Sequence, residues 1–254
     1  RCASAIDEVL AVRTRPLSGP EDLYAFVQQA VQWEQAMALD ETLCVKLILA
    51  SADVAEGLRH THHSALTVCK AVTDAYREAR GARPSVDLEA PDWLLHVVLH
   101  RGGATLARRW SGRHGLHRRG YRAGVKMHCA ALKENVAAGL LLMAGVRPGQ
   151  ALRLLDPTCG SGTFPLEAAM IAADIPPGVV REKLITDSRW HAAPTELRGL
   201  LRQELAAAWS KIEIPRGLQA HGSDLHAPAL ALARRCREAL DRAVPGIREA
   251  LRFE

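Results

Sequence analysis

Sixteen consecutive residues constrain the fold of this chain more than any others: Leu154-Leu155-Asp156-Pro157-Thr158-Cys159-Gly160-Ser161-Gly162-Thr163-Phe164-Pro165-Leu166-Glu167-Ala168-Ala169. The short apolar run 151–155 has the length of one strand, and the run from Phe164 to Ala173 has the apolar character of a helix, so the glycines between them predict a strand–loop–helix turn. Gly160 and Gly162 let the backbone approach a ligand at the carboxyl end of that strand, because no Cβ stands in the way. The first-turn N–H groups near Thr163 and Phe164 lack intrahelical partners and suit a carboxylate or phosphate. Taken alone, Gly-x-Gly fits a plain structural turn equally well. A dinucleotide loop would carry a third glycine where Pro165 stands, and no Gly-Lys-Ser or Gly-Lys-Thr of a nucleoside-triphosphate loop is near, so both of those ligands are disfavoured.

In nucleotide-binding α/β folds an acidic side chain beyond the glycine loop accepts hydrogen bonds from ribose hydroxyls. Asp224, in His221-Gly222-Ser223-Asp224-Leu225-His226, is the candidate. It lies much farther from Asp156 than the ~20 residues of a compact nucleotide fold, which requires an inserted segment over 175–209. The plainer alternative is an aspartate opening a turn at a strand end.

Ahead of the loop, 9–14 reads as a strand, and Ser18-Gly-Pro-Glu-Asp opens a helix carrying Leu23, Phe26, Val27 and Ala30. The run 42–49 fits a buried strand. Ser64 is expected to cap a second helix with Val68, Cys69, Val72 and Tyr76 on one stripe and Gly81 as its stop. Two strands, 93–99 and 104–110, flank Gly102-Gly103 as a hairpin. Residues 111–124, rich in Gly, Arg and His without a hydrophobic period, are expected to form a basic linker between domains.

Charge is concentrated in this region. The chain carries 33 Lys and Arg against 28 Asp and Glu, yet no acid occurs between Asp92 and Glu134 while nine basic residues do. An acid-free basic stretch containing Trp110 and Tyr121 suits an anionic polymer, with Arg113, Arg118, Arg119 and Arg122 on phosphates and the aromatics stacking on bases. The longest apolar run, 136–146, is well short of the roughly 20 residues that cross a membrane. Six cysteines without a C-x-x-C pair suggest reduced thiols in a cytoplasm. His60, His62, His63 and Cys69 match no standard closed metal-site spacing, so no metal is expected.

The Asp156–Thr163 string resembles motif I of class I S-adenosylmethionine-dependent methyltransferases. Together with His117-Arg-Arg-Gly-Tyr-Arg122, Ala131-Leu-Lys-Glu-Asn135, Arg189-Trp190 and Gly222-Ser-Asp224, it occurs in the order seen in THUMP-domain RNA methyltransferases. The front half resembles a THUMP domain through Trp33, Lys70 with Asp74, Arg83-Pro-Ser-Val and Pro91-Asp92. The resemblance implies an α+β THUMP-like RNA-binding domain over 18–110, preceded by a remnant of a ferredoxin-like subdomain over 1–17. Beyond the 111–124 linker, it implies a partial α/β Rossmann-like class I methyltransferase domain over 125–254. Its nearest counterparts methylate the N2 amine of guanosine in 23S ribosomal RNA, and related enzymes act on tRNA. A non-catalytic RNA-binding module is the alternative.

By the same resemblance, Asp156, Pro157, Cys159, Gly160, Ser161, Gly162, Thr163 and Asp224 hold S-adenosylmethionine, and Lys70, Arg113, Arg118, Arg119, Tyr121 and Arg122 meet RNA. Cys159 reads as packing and not as a nucleophile, since amine methylation needs none. Glu167 reads as having a structural partner. The chain departs from the family pattern at Ala131 and His226, and it contains no Asn-Pro-Pro-Tyr, the motif that holds the target amine. The resemblance therefore implies a fragment, truncated at both ends and ending near the start of a third strand, with little or no turnover of its own. No membrane and no obligate protein partner are implied.

Overall fold

The computed structural model describes residues 1–112, 115–122, 124, 126–127, 131–184 and 195–254. The chain divides into two units, one built on Ile6–Arg113 and the other on Arg1–Ala5 together with His114–Ser188 and Pro194–Glu254.

The first unit is a five-stranded mixed sheet with helices on one face. Its strands are β1 (Asp7–Arg13), β2 (Thr42–Leu49), β3 (Ser85–Val86), β4 (Trp93–His100) and β5 (Gly103–Arg109), in the order β1-β5-β4-β2-β3. The helices are α1 (Pro20–Ala30), the single turn α2 (Trp33–Ala36) and α3 (Thr61–Arg80). Alternation along β4 sends Trp93, Leu95, Val97 and Leu99 into one core with Leu23 and Val27 of α1 and Val68 and Val72 of α3. The hairpin expected at Gly102-Gly103 pairs β4 with β5. A Cβ on Gly103 would lie 1.9 Å from the carbonyl oxygen of Arg13, so only glycine lets β1 close on this turn.

Two local expectations change. The α3 helix starts a turn earlier than Ser64, with His60 at its N-cap. Ser64 is buried and its hydroxyl donates to the Leu58 carbonyl instead of capping. The terminal 1–17 segment also divides: residues 1–5 group with the second unit, and Asp7–Arg13 pairs along β5 as an edge of the sheet.

The second unit has a parallel sheet in the order β6-β7-β8, formed by Arg153–Asp156, Gln219–Gly222 and Leu251–Phe253. Its helices are α4 (Glu134–Met143), α5 (Thr163–Ala172), α6 (Pro177–Leu184), α7 (Thr195–Trp209) and α8 (Ala227–Ala243). The α6–α7 pair lies within the insertion that the Asp156–Asp224 spacing demanded. A third strand is present, where the sequence suggested the chain would stop at its threshold. Leu-Arg-Phe is too short to give a period, but Leu251 and Phe253 are buried against Ala220 and the α8 residues Ala233 and Leu240.

Residues 115–122, part of the expected 111–124 linker, are packed into the second unit. The Leu116 N–H donates to Ser4 O at 2.7 Å, and Arg119, Gly120 and Tyr121 are buried within the second unit. Glycine and arginine content resembled linker composition, but the guanidiniums find carbonyl and carboxylate partners inside, which composition cannot show.

Candidate functional site

The loop between β6 and α5 is built by backbone bonds that the sequence makes possible. Ser223 N donates to Asp156 O and Cys159 N to Ser223 O, each at 2.9 Å, which carries the β6–β7 pairing past the strand ends. The Asp224 carboxylate then accepts Gly160 N on one oxygen and His226 N on the other, both at 2.8 Å. These bonds, His226 first and then Gly160, hold its carboxyl below the usual carboxylate range. Asp156 accepts the Thr158 N–H at 3.1 Å and so pins the start of the turn.

Gly160 and Gly162 both have left-handed φ, +54° and +80°. Their surroundings differ. A Cβ at Gly162 would meet the Phe253 ring at 2.8 Å, so this glycine lets the loop sit on the core. A Cβ at Gly160 would meet nothing within 4 Å, so its backbone faces open space. That space is a cavity of about 800 Å³ lined by Lys126, Met127, Ala131, Gly160, Ser161, Asp224, His226, Pro228, Ala229 and Leu232. Polar groups converge from the two strand ends, and the start of α8 contributes an apolar wall. This combination suits a nucleoside-sized ligand with one polar and one flat apolar part.

Of the residues expected at a cofactor, Gly160, Ser161 and Asp224 line this cavity. Asp156, Gly162 and the buried Thr163 shape the turn behind it, and Pro157 is exposed. Cys159 packs under Gly222, where an added Cβ would lie 2.8 Å from its sulfur. Burial, then Asp156 and Asp224, push its thiol up to about 11, which keeps it a thiol at neutral pH. The reading missed Lys126, Met127 and the α8 wall, because a cavity wall has no spacing signature.

The residues expected at RNA separate sharply. Tyr121 is fully buried and donates to Glu167 Oε1 at 3.0 Å. Arg119 is 1% exposed, donates to Leu116 O and Arg1 O, and lies 3.5 Å from the same carboxylate oxygen. Neither can stack on a base or contact a phosphate, so both assignments are withdrawn. Burial raises the Glu167 carboxyl, opposed by the Arg119 charge, and burial raises the Tyr121 hydroxyl well above its usual range. Glu167 thus has the structural partners its helical position suggested.

Arg122 also turns inward. It donates to Leu132 O at 2.9 Å, to Ser161 Oγ at 3.4 Å and to Thr163 Oγ1, and it lies 3.6 Å from Glu134 Oε2. It is withdrawn as an RNA contact for the same reason. Arg118 and Lys70 are exposed, with the Lys70 ammonium 6.0 Å from the centre of the Tyr24 ring. Trp110, considered for stacking, is half-buried beside the Arg108 guanidinium, which lies 4.2 Å from its ring and 3.5 Å from that of Trp93. Arg113, Arg189 and Trp190 lie outside the described residues. Among the described residues no helix is long and apolar enough to cross a membrane.

Residues 20–108 match the THUMP domain family, and residues 119–244 match UPF0020, the RMKL-like methyltransferase domain. A ribosomal RNA large subunit methyltransferase K/L of Pseudomonas fluorescens is 40% identical over 82% of this chain and 27% of its own length. Its Pseudomonas aeruginosa namesake is 43% identical over 70% of this chain and 24% of its own. The chain thus spans about a quarter of the length of these curated relatives. Two crystal structures share the fold. One, titled a predicted N6-adenine-specific DNA methylase from Listeria monocytogenes, has a TM-score of 0.72 and 25% identity, covering 100% of this chain and 61% of that one. The other, a putative methyltransferase complexed with SAH, has a TM-score of 0.71 and 24% identity, covering 99% and 61%.

Proposed function

This chain belongs to the THUMP-bearing, RMKL-like methyltransferases, and from that premise we propose that it binds S-adenosylmethionine at the Gly160–Asp224 cavity for methylation of ribosomal RNA. The observation that carries the reading is the pairing of open space at Gly160 with the Asp224 carboxylate at the end of the neighbouring strand. An acceptor there suits a ribose diol, Pro228, Ala229 and Leu232 suit an adenine face, and the Lys126 ammonium suits the amino-acid end. The bound cofactor supplies an electrophilic methyl group on a sulfonium.

The protein's contribution is positional. Asp224 orients the nucleoside half, and the Asp156–Thr163 turn fixes the other. The target proposed is the exocyclic N2 amine of a guanosine in 23S ribosomal RNA, a weak nucleophile that must be unstacked and aimed before it reacts. RNA is held through its shape by the THUMP unit and exposed basic groups such as Lys70 and Arg118. The protein works in the cytoplasm, and tRNA is the alternative substrate. A DNA substrate has one similar structure's title in its favour. The THUMP match and the higher identity to the ribosomal RNA enzymes favour RNA. Because Asn-Pro-Pro-Tyr is absent from the sequence, this chain is expected to bind cofactor without turnover.

Calorimetric titration with S-adenosylhomocysteine tests the cofactor site. Asp224→Ala should weaken binding by about tenfold or more, since a hydrogen bond to a charged acceptor contributes roughly 1.5–3 kcal/mol. Equal affinity in wild type and variant would remove Asp224 from the site. Binding competition between transcripts of 23S fragments, tRNA and duplex DNA tests the substrate class, and a preference for DNA would overturn the RNA reading.

A further inference from the structure

We infer that Arg122 is a positioning residue that holds the cofactor loop in its binding shape, and that this arginine of the Arg-Gly-Tyr-Arg segment serves the cofactor and not the RNA. The inference rests on the cofactor reading of the loop and adds to it a residue outside the loop. The Arg122 side chain is 11% exposed, so its fork is committed inside the unit. One nitrogen, Nη1, donates to the Leu132 carbonyl at 2.9 Å and lies 3.6 Å from Glu134 Oε2, at the first residue of α4. The other, Nη2, reaches Ser161 Oγ at 3.4 Å and Thr163 Oγ1. A single planar group therefore ties the start of α4 to the two hydroxyls on either side of Gly162.

That placement matters because of what it flanks. Gly160 and Gly162 are the residues with the widest backbone freedom, and both must take left-handed φ for the loop to face the cavity. Phe253 and Ala233 support Gly162 from the core side, whereas Gly160 has open space on its Cβ side and is held there by its N–H bond to Asp224. Bonds to Ser161 and Thr163 from a group anchored on α4 remove that freedom before the ligand arrives, which lowers the ordering cost of binding. The geometry needs a fork with two donor arms pointing in different directions. A lysine supplies one donor centre and cannot span both hydroxyls and Glu134 together.

The test is titration of the 254-residue chain and its variants with S-adenosylhomocysteine, alongside thermal unfolding and hydrogen exchange of the loop. Arg122→Met keeps the apolar stem and should raise the dissociation constant about tenfold, as expected when a preorganised loop is released. Amides of 158–163 should exchange faster while those of 166–171 keep their protection. Arg122→Lys should fall between Met and wild type. Tyr121→Phe removes a bond to Glu167 in the same unit without touching the loop; it should lower the melting temperature and leave affinity unchanged. If Arg122→Met does not fold, Thr163→Val deletes one acceptor, leaves the Arg122–Glu134 pair in place, and should weaken binding in the same direction. Wild-type affinity in folded Arg122→Met, or in Thr163→Val where the first does not fold, overturns the inference alone. Absence of binding by the wild-type chain overturns the cofactor reading and this inference with it.

Discussion

Each of the two units buries a titratable side chain that leaves a polar atom without a hydrogen bond, and the two groups push stability in opposite directions. In the first unit it is His96 on β4, 3% exposed, with neither ring nitrogen hydrogen-bonded. In the second it is Glu167 on α5, fully buried, with one oxygen shared by Tyr121 and Arg119 and the other unbonded. His96 lies between Lys46 of β2 and Ala107 of β5 in the strand register, with the charges of Arg109 and Asp7 acting on it. Glu167 is the hub of a network that reaches Arg119, Tyr121 and, through Arg119, the carbonyls of Arg1 and Leu116. The buried histidine of the first unit has no hydrogen bond to lose, whereas the buried carboxylate of the second is tied to Arg119 and Tyr121. Three experiments sharpen or break that contrast.

The largest effect belongs to Glu167. Glu167→Ala leaves the Arg119 charge buried without its carboxylate, and losing one partner of such a pair costs about 3–5 kcal/mol. Denaturant unfolding, or exchange protection of α5, measures it. Replacing the whole group by apolar residues, as in Arg119→Met/Tyr121→Phe/Glu167→Leu, should recover most of the loss, because two charges no longer need to be kept out of water. Should the single variant be harmless, Glu167 is no hub and the contrast fails.

Next in size is the pH response. Burial first, then the charges of Arg109 and Lys46 against that of Asp7, lower His96 from 6.5 to about 4. The unfolded chain therefore binds the proton more readily, so the first unit is fully stabilised above pH 6.5 and loses about 3 kcal/mol as pH falls towards 4. Glu167 is raised instead, mainly by burial. Its contribution is present below the normal carboxylate pKa of 4.5 and fades as pH rises through its folded value. Exchange protection followed separately in β4 and α5 between pH 4 and 7 should show these opposite slopes, and His96→Phe should flatten the first. Parallel slopes in both units would mean that neither group governs its unit.

What could be read beforehand follows the same division. In the first unit the core makes the fold, and a core announces itself through periodicity: the 42–49 strand, the Gly102-Gly103 hairpin and the Gly81 stop are all where alternation and glycine chemistry put them. The β6–loop–α5 turn was legible for a related reason, since left-handed glycines between a strand and a helix leave few alternatives. Pairings across long sequence distance were not legible. Nothing local says that Arg119 faces Glu167 or that Arg122 faces Ser161, so the basic segment read as an RNA surface when three of its members are interior. The short β8 escaped because three residues carry no period.

The smallest effect separates what remains of that basic surface from what has been withdrawn. Each phosphate contact to single-stranded RNA contributes about 0.7 to the slope of log affinity against log salt. Arg118 is exposed, so Arg118→Ala should lower the slope by about that much, as should Lys70→Ala on α3. Arg119→Met and Arg122→Met remove groups that make no phosphate contact and so release no counterions, so their slopes should equal the wild-type value even where stability or cofactor affinity falls. The comparison is internal to one segment of five residues, and fluorescence anisotropy across a salt series resolves it. A slope lowered equally by Arg118 and Arg119 variants would show that the buried guanidiniums swing out to the nucleic acid, and the interior Arg119–Glu167 pairing that sets the second unit apart would then hold only for the unbound protein.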